Sequence, residues 1–321
     1  MQALIIILYP VTGRRCRIID FWEWLQLKQK NSLSVLFDIF NCLFMLLVCF
    51  TMAYPVWHVL MASLSDNSQL IGYTGLLFKP LSFSTKAYTL MMKNPMILRG
   101  YLNTVLIVVV GVSLNMIFTT VAAYFFSRTD DIYWQKPLMV LIMLTMFFSG
   151  GLIPFYLVVS NMLHLNNSFW ALILPTLINT YNLIIMKTSF SSLPKSLEES
   201  AKLDGAGHIT ILLKVVVPLS MPVIAVMILY YAVGQWNSWF NANIFIKDRS
   251  KYPLQLVLRE ILIQNDTSAM TQGAGDASDQ QSIGESVKYA VVVAASLPIL
   301  VVYPFLQKYF VKGVMIGAVK G

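Results

Sequence analysis

Residues 191–218 read SSLPKSLEESAKLDGAGHITILLKVVVP, a polar segment between two long apolar runs. Ser192 and Pro194 predict the start of a helix, because serine caps helix N-termini and proline is tolerated in the first turn. The apolar residues that follow are spaced by four and form one stripe, namely Leu193, Leu197 and Ala201. The segment is therefore expected to fold as a short amphipathic helix outside the apolar part of the protein.

Charged residues and glycines complete this segment. Lys195–Glu199 and Glu198–Lys202 are predicted ion pairs, because residues four apart lie on the same side of a helix. Gly205 and Gly207 are expected to end the helix, since glycine tolerates positive φ. A second helix is expected to begin near His208 and to continue into the next apolar run.

Two interpretations of the polar helix remain open from these residues alone. Its small residues, Ser200, Ala201, Ala206 and Gly207, would allow a partner protein to approach closely. The helix would then transmit rigid-body motion from a cytoplasmic partner to the membrane. The alternative is an ordinary amphipathic loop helix that packs on the rest of the chain.

The surrounding sequence is that of a membrane protein. Hydrophobic residues make up 57% of the 321 residues and charged residues only 12%, whereas soluble domains average about 25% charged residues. Six apolar runs are long enough to cross a bilayer, which requires about 20 residues. They are Leu36–Ala62, Tyr101–Ser127, Pro137–Asn161, Ser168–Met186, Val215–Phe240 and Val287–Phe310. An all-α polytopic bundle of six transmembrane helices is the predicted fold.

The net charge of +8 predicts orientation rather than nucleic-acid binding. Placing both termini in the cytoplasm puts 14 of the 23 Lys and Arg residues inside, in agreement with the positive-inside rule. Only Arg14, Arg15 and Arg17 form a basic cluster, so no nucleic-acid partner is expected. The chain is therefore expected to lie in a membrane, with the lipid bilayer as a partner.

Two further segments outside the predicted spans are the N-terminal arm and a long loop. Residues 1–32 are expected to form a cytoplasmic arm in which Asp20–Lys30 is a helix at the membrane surface. Residues 241–286 form a long external loop whose second half is small and polar. The loop is either a solvated linker or a contact surface for an external protein. Candidate contact residues are Gln272, Gly273, Gly275 and Asp276.

The energy source is expected to lie on another protein. The interiors of spans two to six contain no Asp, Glu, Lys, Arg or His, although proton-coupled transporters usually carry such residues. The chain also lacks the phosphate-binding pattern G-x-x-x-x-G-K-[S/T], so it is not expected to be an enzyme or to hydrolyse ATP. A passive channel or a membrane scaffold is the alternative. The three Cys and three His residues have no metal-ligand spacing, and no metal site is expected.

Aromatic and amide side chains in the spans are candidates for contact with a transported molecule, because binding sites combine apolar surfaces with a few hydrogen-bonding groups. Aromatic belts and helix-packing amides provide the alternative explanation. The candidates are Asn115, Asn179, Tyr181, Tyr231, Trp236, Asn237 and Trp239.

The segment at 191–218 resembles the signature of permease subunits of binding-protein-dependent ABC importers. That signature is Glu-Ala-Ala, three residues, Gly, nine residues and Ile-x-Leu-Pro. This chain has Glu199-Ser200-Ala201, then Gly205, then Val215-x-Val217-Pro218. Residues 147–156, 234–239 and 304–321 resemble sugar permeases of the maltose type. Among these permeases, the resemblance is to an oligosaccharide subgroup.

The resemblance implies a type I ABC importer permease fold over residues 33–321, with a coupling helix at about 192–207. It also implies a second homologous permease, two ATPase subunits that carry ATP and Mg, and an extracellular solute-binding protein. The expected cargo is an oligosaccharide, and the aromatic and amide candidates above are then the candidate sugar path. The implied location is a bacterial cytoplasmic membrane. The implied ATPase-coupling residues are Glu198, Glu199, Ser200, Ala201, Asp204, Gly205, Ala206, Gly207 and Pro218.

Overall fold

A computed structural model of the protein describes residues 32–70, 72–128, 133–263 and 286–304. The predicted surface helix at Asp20–Lys30 and the loop residues Gln272, Gly273, Gly275 and Asp276 lie outside these ranges. The described part is helical, apart from turns and one antiparallel bridge between Ser65 and Phe83.

The long apolar helices, the helices next to the breaks and the polar helix are numbered α1 to α7. They are α1 (Ser32–Ser63), α2 (Pro95–Ser127), α3 (Gln135–Phe147), α4 (Thr180–Ser191), α5 (Lys195–Leu203), α6 (Met221–Trp236) and α7 (Ser286–Pro304). Shorter α-helices are Asn67–Leu70, Lys86–Lys93, Leu152–Leu157, Trp170–Ile173, His208–Ile211, Val217–Leu219, Phe240–Phe245 and Leu254–Ile263. There are 3₁₀ turns at Leu174–Thr176 and Arg249–Lys251, and π-helical turns at Val158–Met162 and Leu212–Val216.

Three of these helices are long and apolar enough to cross a membrane on their own, namely α1, α2 and α7. Two bent helix pairs bring the number of candidate spans among the described residues to five. The sequence predicted six continuous helices, and the structure differs from that prediction at the third, fourth and fifth runs.

The third run is broken at its middle. Helix α3 ends at Phe147, and the helical segment Leu152–Met162 leaves at 116° to it. Gly151 has a φ of +84°, which an L-residue with a side chain rarely adopts. The predicted continuous helix over 137–161 is therefore wrong, because the Gly150-Gly151 pair turns the chain.

The fourth and fifth runs are interrupted by proline and by a new helix start. In the fourth, Pro175 lies in a 3₁₀ turn, and the Asn179 side chain accepts a hydrogen bond from the Asn182 N–H at 3.1 Å, which starts α4. In the fifth, His208–Leu219 meets α6 at 87°. Pro218 and Pro222 flank this bend and donate no backbone hydrogen bond.

Helix α2 is central to residues 57–321, and buried clusters surround both of its ends. At one end, Tyr124 and Phe126 pack with residues of α4 and of the helix before α6. This cluster includes Met186, Phe190, Ile211, Leu212 and Val216. At the other end, Ile97 packs with the helix Leu254–Ile263 and with α7, in a cluster that includes Leu254, Val257, Ile261 and Val291.

Polar side chains join the helices between these two clusters. The Tyr231 hydroxyl lies 2.7 Å from Thr119 Oγ1 of α2 and accepts a hydrogen bond from the Asn179 N–H at 3.1 Å. Gln235 Nε2 donates to Thr176 Oγ1 at 3.0 Å, and Gly111 leaves room for the Gln235 amide. Because Tyr231 is buried, one hydroxyl connects α2, α6 and the start of α4.

Replacing Tyr231 by phenylalanine is expected to destabilise the protein by about 1–3 kcal/mol, because the Thr119 hydroxyl and the Asn179 N–H lose their common partner. Thermal unfolding of the purified protein in detergent measures the effect. Tyr230→Phe, on the exposed face of the same helix, is the matched control and should change stability by less than about 0.5 kcal/mol. Equal melting temperatures for the two variants would contradict this prediction.

Candidate functional site

Helix α5 is short and is ended by a glycine. It begins after Pro194, and Gly205 beyond its end has a φ of +80°. The N–H of Ala206 donates to the Ala201 carbonyl at 2.9 Å, and the N–H of Gly205 donates to the Lys202 carbonyl at 3.0 Å, so the turn satisfies two helix-end carbonyls. Gly207 has a φ of −73° and needs no glycine for its backbone conformation.

Two details of the predicted helix start and ion pairs are corrected. Ser192 does not cap α5, because its hydroxyl donates to the Ser189 carbonyl at 2.7 Å at the end of α4. Glu198 does not depend on Lys202, because both of its carboxylate oxygens are bound by Arg128, which follows the last residue of α2.

The Arg128–Glu198 pair is the principal ionic contact of the site. Arg128 Nε donates to Glu198 Oε2 at 2.7 Å, and a second guanidinium nitrogen donates to Oε1. A third contact joins Arg128 to the Phe190 carbonyl at 3.2 Å. Glu198 is only 7% exposed. Burial lowers the pKa of Arg128 below its usual range. The pair therefore fixes α5 against the ends of α2 and α4.

Tyr124 extends this contact to the helix that follows Gly207. The Arg128 guanidinium lies 5.4 Å from the centre of the Tyr124 ring, a cation–π distance. The Tyr124 hydroxyl lies 3.5 Å from His208 Nδ1, the first residue of that helix. Helix α5 and the helix His208–Ile211 thus both contact the same end of α2.

The outer surface of the segment is exposed and partly apolar. Glu199, Asp204, Gly205 and Gly207 are exposed, while Ala201 and Ala206 are partly buried against the core. Leu203 is 90% exposed and Ile209 is 75% exposed. Only part of the predicted apolar stripe faces the core. Leu193 and Ala201 pack on the core, whereas Leu197 is exposed. Ser200, whose hydroxyl donates to the Ser196 carbonyl, and Pro218 are also exposed.

The candidate sugar-path residues fall into two groups. Three are buried inside this chain, namely Asn115, Tyr231 and Trp236. Trp236 Nε1 donates to the Ala295 carbonyl at 3.2 Å, whereas the Asn115 amide makes no hydrogen bond to any described residue. Four are exposed, namely Asn179, Tyr181, Asn237 and Trp239. The exposed group alone is available to a cargo molecule in this conformation.

A basic and aromatic surface lies at the end of the bundle away from α5. The Arg259 guanidinium is 4.6 Å from the centre of the Trp239 ring. The helix that carries Arg259 is positioned by α2, because the Leu254 N–H donates to Thr104 Oγ1 at 2.8 Å. Residues 241–263 contain four Lys or Arg residues and two acidic ones, so this segment has a net charge of +2.

Sequence reasoning missed Arg128, Leu203 and Ile209. Arg128 had a weak signal, since it is the first charged residue after the long apolar run of α2. Its partner is 70 residues away in the chain, so no local pattern connects the two. The exposure of Leu203 and Ile209 depends on the turn at Gly205, which rotates the two helices relative to each other.

Comparison with known proteins identifies the family. Residues 107–316 match the family described as binding-protein-dependent transport system inner membrane component. The chain is 42% identical over 291 residues to the polygalacturonan/rhamnogalacturonan transport system permease protein YtcP of Bacillus subtilis (strain 168), covering 89% of this chain and 99% of YtcP. It is also 42% identical over 286 residues to protein LplC of the same strain, covering 89% and 95% of the two chains.

A solved structure agrees with these matches. A chain of a bacterial ABC transporter involved in the import of the acidic polysaccharide alginate superimposes with a TM-score of 0.82 at 28% identity. The superposition covers 88% of this chain and 99% of that one. This protein is therefore a membrane-embedded transport subunit, and it belongs to the family of inner membrane components of binding-protein-dependent transport systems.

Proposed function

We propose that this chain is one of two homologous permeases in an ATP-driven importer of oligosaccharides. The observation that carries this proposal is the arrangement of residues 195–209, the coupling segment. The Arg128–Glu198 ion pair holds this segment on α2. The side chains of Glu199, Leu203 and Ile209 are exposed and available to a partner. The sugar assignment is supported by YtcP and by the alginate importer, whose names specify polysaccharide transport.

The assembly follows from this role. Two ATPase subunits would hold ATP and Mg outside this chain, and an extracellular binding protein would deliver the cargo. The proposed topology has six spans and both termini in the cytoplasm of a bacterium. In this topology α5 lies on the cytoplasmic side of the membrane, where the ATPase subunits would bind. In that arrangement the third, fourth and fifth spans are the interrupted ones, and the segment 241–286 faces the binding protein.

The two neighbouring glutamates have separate roles in this proposal. Glu198 is buried on Arg128 and holds α5 in place, whereas Glu199 is exposed and contacts the ATPase subunit. Closure of the ATPase subunits around ATP would move α5. Arg128 and Tyr124 would pass that motion to α2, because they contact both helices of the segment.

Glu198→Gln should lower the stability of the purified subunit by about 3 kcal/mol or more, because Arg128 loses its buried counter-ion. Glu199→Arg should leave the melting temperature unchanged but abolish co-purification of the ATPase subunit with the tagged chain. The melting temperature is measured on the purified subunit, and retention of the ATPase subunit is measured on the tagged chain expressed with its partner subunits.

The ion pair between Arg249 and Glu260 provides the matched control. It is longer, at 3.5 Å, and Arg249 is more than half exposed, so Glu260→Gln should cost less than about 1 kcal/mol. Absence of an ATPase subunit from the wild-type complex would favour a passive channel or scaffold instead.

Gly205 is expected to set the angle between α5 and the next helix. No atom lies within 4 Å of an added Cβ, so only the positive φ opposes substitution. Gly205→Val should uncouple ATP hydrolysis from uptake, whereas Gly205→Asn should retain most uptake because asparagine adopts this conformation more readily. Rates of hydrolysis and uptake in proteoliposomes test this, and equal uptake by the two variants would refute it.

The cargo is proposed to be acidic. Trp239 provides an aromatic face at the outer end of α6, and Arg259 places a guanidinium beside it. Arginine pairs strongly with carboxylates, so the two residues suit a sugar that carries a uronic acid. The excess of Lys and Arg in residues 241–263 agrees, since the positive-inside rule alone would not place them outside.

Arg259→Gln should reduce uptake of an oligogalacturonide at least fivefold and should weaken its dependence on salt concentration. Lys79→Gln, on a different exposed segment, should leave uptake within about twofold of wild type, since single surface substitutions have small effects. Efficient uptake of a neutral arabino-oligosaccharide without uptake of the oligogalacturonide would overturn the acidic cargo.

A further inference from the structure

Helix α7 contains a proline within its length. Pro298 lies inside the 19-residue helix Ser286–Pro304. Proline has no N–H, so the carbonyl four residues earlier, that of Ala294, lacks its usual backbone donor. The proline ring also presses against this carbonyl and weakens the helix locally. In a membrane helix, a carbonyl freed in this way needs a donor from a neighbouring helix, a side chain or water.

The donor comes from the side chain of Tyr101 on α2. The Tyr101 hydroxyl donates a hydrogen bond to the Ala294 carbonyl. The two residues are 193 positions apart in the chain, so only the tertiary fold brings them together. A hydroxyl of one helix thus replaces the N–H that the proline of another helix lacks.

A second aromatic side chain binds the next carbonyl of α7. Trp236 Nε1 donates to the Ala295 carbonyl at 3.2 Å, and both residues are buried. The rings of Tyr101 and Trp236 meet edge to face, with their centroids 6.1 Å apart, which is a favourable geometry for an aromatic pair. Tyr101 and Trp236, the aromatic clasp, therefore hold α7 from α2 and from α6 at the turn before Pro298.

The clasp lies where a tilt of α6 would have its largest effect. Trp236 is the last residue of α6, whereas the 87° bend lies at the other end of that helix. A rigid helix that tilts about one end moves most at the other end. Such a movement would reach α7 through the Trp236–Ala295 hydrogen bond, next to the proline at which helices bend most readily.

We propose that Pro298 is a hinge in α7 and that Tyr101 and Trp236 are the positioning residues that hold it. Tyr101 satisfies the carbonyl that the proline frees, and Trp236 passes the movement of α6 to α7. The movement rests on the proposed function, whereas the replacement of the missing hydrogen bond rests on the geometry alone. Trp236 accordingly has a role other than the contact with cargo for which it was a candidate.

A double-mutant cycle tests the Tyr101 contact. The full chain is purified in detergent as the wild type, Tyr101→Phe, Pro298→Ala and the double variant. Tyr101→Phe alone should lower the melting temperature by at least about 3 °C, because the Ala294 carbonyl loses its donor. In the Pro298→Ala background the same change should cost less than about 1 °C, because the alanine N–H then donates to that carbonyl.

Equal losses in the two backgrounds would overturn the contact. Tyr303→Phe, at an exposed position of α7, is the matched control and should shift the melting temperature by less than about 1 °C in either background. If Tyr101→Phe is too unstable to purify, recovery of the folded double variant supports the contact, and its loss while Pro298→Ala folds overturns it.

Transport tests the hinge. In the complete transporter in proteoliposomes, Pro298→Ala should reduce uptake of an oligogalacturonide at least about fivefold while ATP hydrolysis persists, because α7 no longer bends with α6. The melting temperature of this variant should be at or above that of the wild type, since the helix gains a backbone hydrogen bond. Uptake at the wild-type rate would overturn the hinge.

A second measurement of the hinge does not require transport. Amide hydrogens of residues 299–302 should exchange at least about fivefold faster in the wild type than in Pro298→Ala, because a weakened helix opens locally. Equal exchange rates would also overturn the hinge. Failure of the proposed function is recognised separately, because the unmodified transporter would then take up no sugar, while melting temperatures and hydrogen exchange would still decide the contact and the hinge.

Discussion

The requirement that backbone N–H and C=O groups find partners inside a bilayer governs this structure. Helix α2, which is central to residues 57–321, carries proline only at its first residue, so its internal ladder of backbone hydrogen bonds is complete. Helix α1 contains Pro55 and α7 contains Pro298, and each proline removes one backbone donor from its helix. The interrupted runs satisfy this requirement only in part, because backbone N–H groups at their breaks have no partner within a helix. One is closed by the Tyr231 hydroxyl, which binds the Asn179 N–H. The peptide groups near Ser149 and Gly150 are left for surroundings outside this chain.

The same balance of satisfied and exposed groups appears at the coupling segment. A buried carboxylate without a counter-ion would be costly, so Glu198 requires Arg128 at the end of α2. The neighbouring Glu199 has the opposite environment and remains exposed. Of these two adjacent glutamates, Glu198 anchors the helix and Glu199 forms part of its exposed surface. Substitutions at the two positions are therefore expected to have different effects.

Sequence patterns predicted the helical class, the long apolar helices α1, α2 and α7 and the short polar helix α5 between Pro194 and Gly205, because these depend on local composition and on glycine and proline. The 116° turn at Gly151 was not predicted, since glycine and proline also occur within continuous membrane helices. Arg128–Glu198 was missed because its partners are distant in sequence, and a local pair with Lys202 was the nearer alternative. Among the path candidates, Asn115 and Asn179 are the same residue type, and only tertiary packing separates the buried one from the exposed one.

The near-perpendicular bend before α6 determines how a displacement near His208 would reach that helix. The helical arm His208–Leu219 meets α6 at 87° and is about 18 Å long. A displacement of about 3 Å at the His208 end, across the arm, corresponds to a rotation of about 10° at the bend for a helix of that length. A stiff corner at Pro218–Pro222 would carry the same rotation into α6 as a tilt.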